Sequence, residues 1–126
     1  MTVTVKAMVE AADAVVPRIT GAEAIALSKQ PGVVIVDVRD TGEVKLSGKA
    51  KGAFNIPRGS LEFSADPGLP THNKALADAS IIIVHCAAGS RAAFAGKTLR
   101  DMGYTDVRNL VGFKNWVEAG GEVEPA

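Results

Sequence analysis

The chain has 126 residues, 47% hydrophobic and 22% charged, the balance of one soluble globular domain with a single core. Lys plus Arg and Asp plus Glu both number 14, so the formal net charge is zero and no overall field favours nucleic acid or a membrane surface. A single cysteine excludes an internal disulfide, and that Cys86 with only His72 and His85 makes no structural zinc set, so neither a metal nor another cofactor is expected. No apolar run approaches the roughly 18 residues that would span a bilayer. The first residues lack the basic start, continuous apolar stretch and small-residue cleavage site of a secretory signal, so a cytoplasmic location is expected.

Val5, Met8, Val9 and Ala12 fall at helical spacing and predict an amphipathic helix within residues 3–15, ended by Pro17. Residues 1–17 are accordingly read as a helical extension and 18–126 as one domain. Thr20-Gly21-Ala22-Glu23 matches a capping box and opens a short helix through Leu27, broken at Pro31-Gly32. Val33-Val34-Ile35-Val36-Asp37 is β-branched and apolar on both faces, the pattern of a buried parallel strand. A helical turn is expected around Thr41–Leu46 and a short strand in Gly52–Pro57, stopped by proline; residues 64–73 read as a loop. Ile81–His85 is the second strong buried strand. A sharp turn over Cys86–Ser90 leads into a helix from Arg91 to Met102, with apolar Ala92, Ala93, Phe94, Ala95 and Leu99, and Gly103 ends it. Val107–Val111 predicts a last strand and Lys114–Ala119 a last helix. Strands alternating with helices indicate an α/β fold with a mostly parallel sheet, in which ligands bind beyond the carboxyl ends of strands.

Two such ends carry chemistry: Asp37-Val38-Arg39-Asp40 and Cys86-Ala87-Ala88-Gly89-Ser90-Arg91. Cys86 follows a buried strand and precedes a helix, with Gly89 in the turn. Such a loop aims several backbone N–H groups at one central atom, and the helix adds the positive end of its dipole. Both favour a thiolate nucleophile and would cradle a second sulfur attached to it. Arg91 closes the loop and would offer a permanent positive charge to an anionic substrate. The competing reading is a buried structural cysteine; the Gly and Arg spacing in a strand–turn–helix setting outweighs it.

IVHCAAGSRA resembles the active-site segment of the rhodanese family, Cys-x-x-Gly-x-Arg at a strand-to-helix turn. Three further segments stand in the family's order: IVDVRD (35–40) is similar to its early strand ending in Asp-x-Arg, GAFNIPRGSLEF (52–63) to its Gly-Ala-x-Asn-Ile-Pro segment, and LVGFKNWVEAGGEV (110–123) to its Gly-x-x-x-Trp-x-x-x-Gly segment. The resemblance spans residues 18–123. It implies a rhodanese-like α/β fold, with a central, mostly parallel five-stranded sheet flanked by helices. It also implies a sulfurtransferase that moves a sulfane sulfur from a small anionic donor such as thiosulfate to a thiol or cyanide acceptor. The sulfur would be held as a persulfide on Cys86, and a partner protein's persulfide is an alternative donor. The implied site is catalytic Cys86 with a substrate-binding loop of Ala87, Ala88, Gly89, Ser90 and Arg91. Lys49 stands where many members have a histidine, Ala92 where serine is frequent, and Val111-Gly112 replaces a common Gly-Gly pair.

Other residues have structural readings beside functional ones. Asp37 and Arg39 are candidates for the pocket rim, or an internal ion pair bracing the loops. Arg58 is a rim candidate by the same resemblance, or a solvated arginine. His85 should point to the opposite side of its strand from Cys86, as a satisfied core histidine. Phe113, Trp116 and Val117 are expected in the core, and Lys49 and Lys51 form a small basic rim or a solvated face. Two other functions compete: a regulatory or sulfur-carrier binding module without chemistry, and a cysteine phosphatase or arsenate reductase. Phosphatases of related architecture use Cys-x5-Arg, one residue longer than the interval from Cys86 to Arg91.

Overall fold

The computed structural model describes residues 2–126. The helices are α1 (Val5–Asp13), α2 (Gly21–Ser28), α3 (Thr41–Ser47), α4 (Leu61–Ala65), α5 (Lys74–Asp78), α6 (Ser90–Asp101) and α7 (Phe113–Glu118). The strands are β1 (Val33–Asp37), β2 (Lys49–Ala50), β3 (Phe54–Asn55), β4 (Ile81–Cys86), β5 (Val107–Gly112) and β6 (Val123–Glu124), and a 3₁₀ turn spans Arg58–Ser60.

The expected capping box holds α2: Thr20 Oγ1 accepts from the Glu23 N–H (3.1 Å) and Glu23 accepts from the Thr20 N–H (2.9 Å). The predicted buried strands pair parallel in register, Val33 to Asp37 beside Ile81 to His85. The central sheet is all-parallel in the order β3-β1-β4-β5. It has four strands where five were expected. The segment beyond β5 makes only one bridge, Arg18 with Asn109, with backbone bonds from Ile19 to Asn109 (2.9 Å) and from Asn109 to Pro17 (2.8 Å). Pro17 has no N–H to continue that ladder. A separate antiparallel pair, β2 with β6, lies outside the reading of the sequence, as do α4 and α5. The first residues of the segment expected to be a loop, Ser64 and Ala65, belong to α4.

Alternation along β4 divides the interior. Ile82, Val84 and Cys86 face a core with Val36, Val38, Leu76, Ala92, Ala95 and Leu99, whereas Ile83 faces a second core with Ile35, Ala24, Leu110 and Trp116. The amino-terminal helix packs onto the domain, with Ala12 and Val16 buried. Trp116 is buried as expected and donates from Nε1 to the Glu122 carbonyl (2.8 Å), and Phe113 is half-buried. Val117 is not in the core: it sits one residue past Trp116 on α7 and faces solvent.

The approach of α2 to α7 requires a glycine. A Cβ at Gly21 would lie 2.1 Å from the Asn115 carbonyl oxygen, whereas one at Gly42 in α3 would meet nothing within 4 Å. Both are helical, so propensity alone would make Ala an improvement at either. Gly21→Ala is expected to destabilise by about 2 kcal/mol or more and Gly42→Ala to stabilise by about 0.5 kcal/mol. Urea midpoints of the two variants check the opposite signs.

Candidate functional site

The site is built on the carboxyl end of β4. Cys86 is the last residue of that strand and is 1% exposed. Gly89, at φ 109°, turns the chain into α6, and its carbonyl accepts the first helical bond from Ala93 (2.9 Å). The left-handed turn aims two amides at the sulfur: Gly89 N–H donates to Sγ at 3.0 Å and Ala92 N–H at 3.4 Å. Bonds of this kind contribute about 1.5–3 kcal/mol each when the acceptor is charged, far more than to a neutral thiol. The 12-residue α6 adds its dipole. The loop therefore stabilises negative charge at one point through backbone groups. Ala87, Ala88 and Ser90 are exposed on it.

Arg91 closes the loop in a way the sequence does not disclose. Its guanidinium meets the Glu43 carboxylate with both nitrogens, at 2.6 and 3.1 Å. Glu43 also accepts from the Asp40 N–H (3.3 Å), and its carboxyl is held below the ordinary value chiefly by the Arg91 hydrogen bond. The loop is thus tied to α3, and the charge expected for a substrate is already compensated. Glu43 lies 48 residues away in sequence; its only local signal was its place three residues after Asp40, where a helix begins.

Asp37 and Arg39 form the internal ion pair. Arg39 Nη2 lies 2.7 Å from Asp37 Oδ2 and Nε lies 3.0 Å from Oδ1, both residues buried. The same guanidinium donates to Ser47 Oγ (2.8 Å) and the Gly48 carbonyl (3.1 Å), and its Cζ sits 4.4 Å over the Phe113 ring. Asp37 is in register with His85, on the face of the sheet opposite Cys86. The pair therefore supports the strand ends and does not line the cysteine's face.

Arg58 is bound to Glu62 (2.9 Å) and Thr98 Oγ1 (3.0 Å). Thr98 lies eight residues beyond Ser90 on α6, about 12 Å along its axis, so this guanidinium stands away from the loop. Lys49 pairs with Glu124 and Lys51 with Glu122 (3.2 Å), which makes them partners of the β2–β6 edge and not a free basic rim.

His85 is fully buried opposite Cys86, as the alternation required, but it is not satisfied. Nδ1 is 3.3 Å from the Cys86 carbonyl, while Nε2 has no hydrogen-bond partner and stands 3.7 Å from Asp37 Oδ2. Burial pushes its pKa below the ordinary 6.5, against the opposing pull of Asp37.

Val111, marked in the sequence only by standing in place of a glycine, has a backbone that its residue type does not announce. It is the one non-glycine residue with positive φ (78°) among the described residues, at the point where β5 shifts register against β4. A β-branched side chain there costs on the order of 1–3 kcal/mol. Asn109 Oδ1 holds its N–H at 2.7 Å, and its carbonyl accepts from the Cys86 thiol at 3.6 Å.

Residues 20–119 match the family described as Rhodanese-like domain. The chain belongs to that family. No curated protein sequence matches it. Among solved structures, it is similar to a protein of unknown function from Rhodopseudomonas palustris described as a possible tyrosine phosphatase: 40% identity, TM-score 0.90, covering 98% of this chain and 96% of that one. It is also similar to the homodimeric polysulfide-sulfur transferase of Wolinella succinogenes: 32% identity, TM-score 0.70, covering 96% and 87%. A third is the human single-domain sulfurtransferase TSTD1: 27% identity, TM-score 0.62, covering 81% and 96%. Among the described residues no helix is long and apolar enough to cross a membrane, and no cluster of three metal-ligating side chains occurs.

The depressed pKa of His85 has a sign. As pH falls through 6.5 the unfolded chain takes up a proton that the folded chain refuses, so this stability is complete above about pH 6.5 and lost below it. Between pH 7.5 and 5.5 the rhodanese domain should lose more stability than its His85→Asn variant, whatever that substitution costs at pH 7.5. Urea unfolding at the two pH values checks the difference of slopes.

Proposed function

We propose that this chain is a sulfurtransferase that carries a sulfane sulfur on Cys86 as a persulfide. The observation that supports this reading most is the convergence of the Gly89 and Ala92 amides on Sγ at 3.0 and 3.4 Å. The thiolate attacks the sulfane sulfur of a donor, the donor's S–S bond breaks, and its remainder leaves with the electron pair. With thiosulfate the leaving group is sulfite; with a hydropersulfide it is a thiolate. A thiol or cyanide acceptor then takes the outer sulfur and returns the Cys86 thiolate, so no external oxidant is needed. The amides serve the Cys86 thiolate that attacks and the thiolate that the acceptor returns, and fixed dipoles do this without reorganising.

Cys86 is the catalytic residue in this reading; Ala87, Ala88, Gly89 and Ser90 supply the backbone of the substrate loop. Arg91 braces that loop through Glu43, and Asp37 with Arg39 supports it from beneath. Arg58 serves the contact with α6. The relatives described as a polysulfide-sulfur transferase and a single-domain sulfurtransferase support the same activity. The 40%-identical relative described as a possible tyrosine phosphatase brings a second reading. Against it, four residues separate Cys86 from Arg91 where the related phosphatases have five. A phosphatase also needs an acid for its leaving oxygen, and Asp37 is engaged with Arg39 on the opposite face of the sheet.

Intact mass after incubation with thiosulfate, a thiosulfonate, a low-molecular-weight persulfide and polysulfide tests both readings. At least one donor should add about 32 Da, one sulfur, removable by cyanide or a reducing thiol. Cys86→Ser should take up none, and aryl phosphate turnover should stay at background. Cleavage of the phosphate ester with no cyanide-labile sulfur from any donor would place the chain with the phosphatases.

A further inference from the structure

Two unfavourable features fall two residues apart on β5. Asn109 is fully buried and its Nδ2 has no hydrogen-bond partner, a penalty that an apolar residue at this strand position would not carry. Val111 holds φ 78°, a conformation that glycine adopts freely. One bond joins the two residues: Asn109 Oδ1 accepts from the Val111 N–H at 2.7 Å. It spans a bulge, where Asn109 pairs with Val84 and Val111 with His85, so β5 carries one residue more than β4.

The consequence of this bent backbone lies at the sulfur. The Val111 carbonyl accepts from the Cys86 thiol at 3.6 Å, and among the described residues it is the acceptor that meets Sγ. The Gly89 and Ala92 amides are donors, at 3.0 and 3.4 Å. Asn109 stands on the same face of the sheet, since its partner Val84 shares a core with Cys86. Donors favour the sulfur without its proton, and an acceptor favours the sulfur that keeps it. Without the Asn109 side chain the Val111 peptide loses the bond that offsets its φ, and relaxation toward negative φ turns the carbonyl away from Sγ.

We propose that Asn109 is a positioning residue for Cys86: through its bond to the Val111 N–H it keeps the Val111 carbonyl at Sγ, where that carbonyl retains the thiol proton against the Gly89 and Ala92 amides. A side chain that does not touch the sulfur thereby sets how readily the nucleophile forms. The assignment concerns the thiol itself; its bearing on sulfur uptake rests on the sulfur-transfer reading.

Alkylation of the full chain by iodoacetamide, followed by intact mass from acid to alkaline pH, is compared for wild type, Asn109→Ala and Asn109→Ser. Melting temperatures show which variants are folded. Cys86 is the sole thiol, so the adduct reports this site alone. The charged groups about it are common to all three proteins: Arg91 with Glu43 beside the loop, and His85 with Asp37 and Arg39 on the opposite face. Asn109→Ala should react about threefold faster or more at pH 6 and move the profile about half a unit toward acid, because the acceptor that favours the thiol is lost. Serine, whose hydroxyl accepts from the N–H two residues on, should restore the wild-type profile. Direction separates this effect from general loosening. A profile that moves toward alkali, an equal rise at every pH, or no movement in folded Asn109→Ala overturns the assignment, as does serine behaving like alanine. Should alanine unfold the chain, the infrared S–H band of wild type and Asn109→Ser decides. A band below its position in the urea-unfolded chain supports the thiol–carbonyl bond, and one at or above it overturns the assignment. Iodoacetamide needs no sulfur donor, so absence of cyanide-labile sulfur with every donor would overturn sulfur transfer while leaving this test standing.

Discussion

Burying an arginine constrains everything around it. A guanidinium and a carboxylate removed from water each lose several kcal/mol of hydration, and only saturated hydrogen bonding in good geometry offsets the loss. Arg39 meets that demand by drawing on distant parts of the chain: Asp37 from β1, Ser47 and Gly48 from the end of α3, and the Phe113 ring at the start of α7. Asn55 reinforces the same turn, donating from Nδ2 to the Asp37 and Arg39 carbonyls at 3.0 Å each. The carboxyl end of β1 is fixed as a consequence, and with it the position of α3, which carries Glu43 to the Cys86 loop. Of the residues expected at a substrate rim, Asp37 and Arg39 lie on the face of the sheet opposite Cys86.

Two-residue periodicity gives the sheet its division of labour. Adjacent residues of β4 serve unlike ends: Cys86 turns toward α6 and its amides, and His85 turns toward Asp37 and Phe113. The unpartnered Nε2 of His85 is a cost of about 1–3 kcal/mol that a larger network would have removed. On the neighbouring strand the register slips between the partners of Val84 and His85, and this irregularity is what brings the Val111 carbonyl to Sγ. The loop is shaped from both flanks, by a glycine that turns left-handed and by a valine forced to do the same.

What could be read from the sequence was local. The β-branched runs of β1 and β4, the Thr20–Glu23 capping box and the strand–Cys–Gly–helix turn announce themselves within a few residues, because propensity, capping and turn chemistry act at that range. The two-residue strands β2 and β6 have no periodicity to detect, and they meet only through a contact across more than 70 residues, Ala50 with Val123. The Glu43–Arg91 pair is equally non-local, so the partner of the loop's arginine has no signal near it in the sequence. Val111 is the reverse case: its type argues for an extended strand, and tertiary context overrides it. The fifth strand failed for a local reason that was visible, a proline at the sheet's edge.

Compensation of Arg91 changes how the loop must recognise anything. A loop whose arginine faces its substrate distinguishes ligands by charge and by the fork of a bidentate contact. Here the fork is closed on Glu43, and the donors left facing Sγ are the amides of Gly89 and Ala92. Amide dipoles attract any anion small enough to reach their focus, and among anions of similar charge they discriminate by distance alone. The placement of Glu43 on α3 therefore fixes where the arginine of the Cys86 loop points.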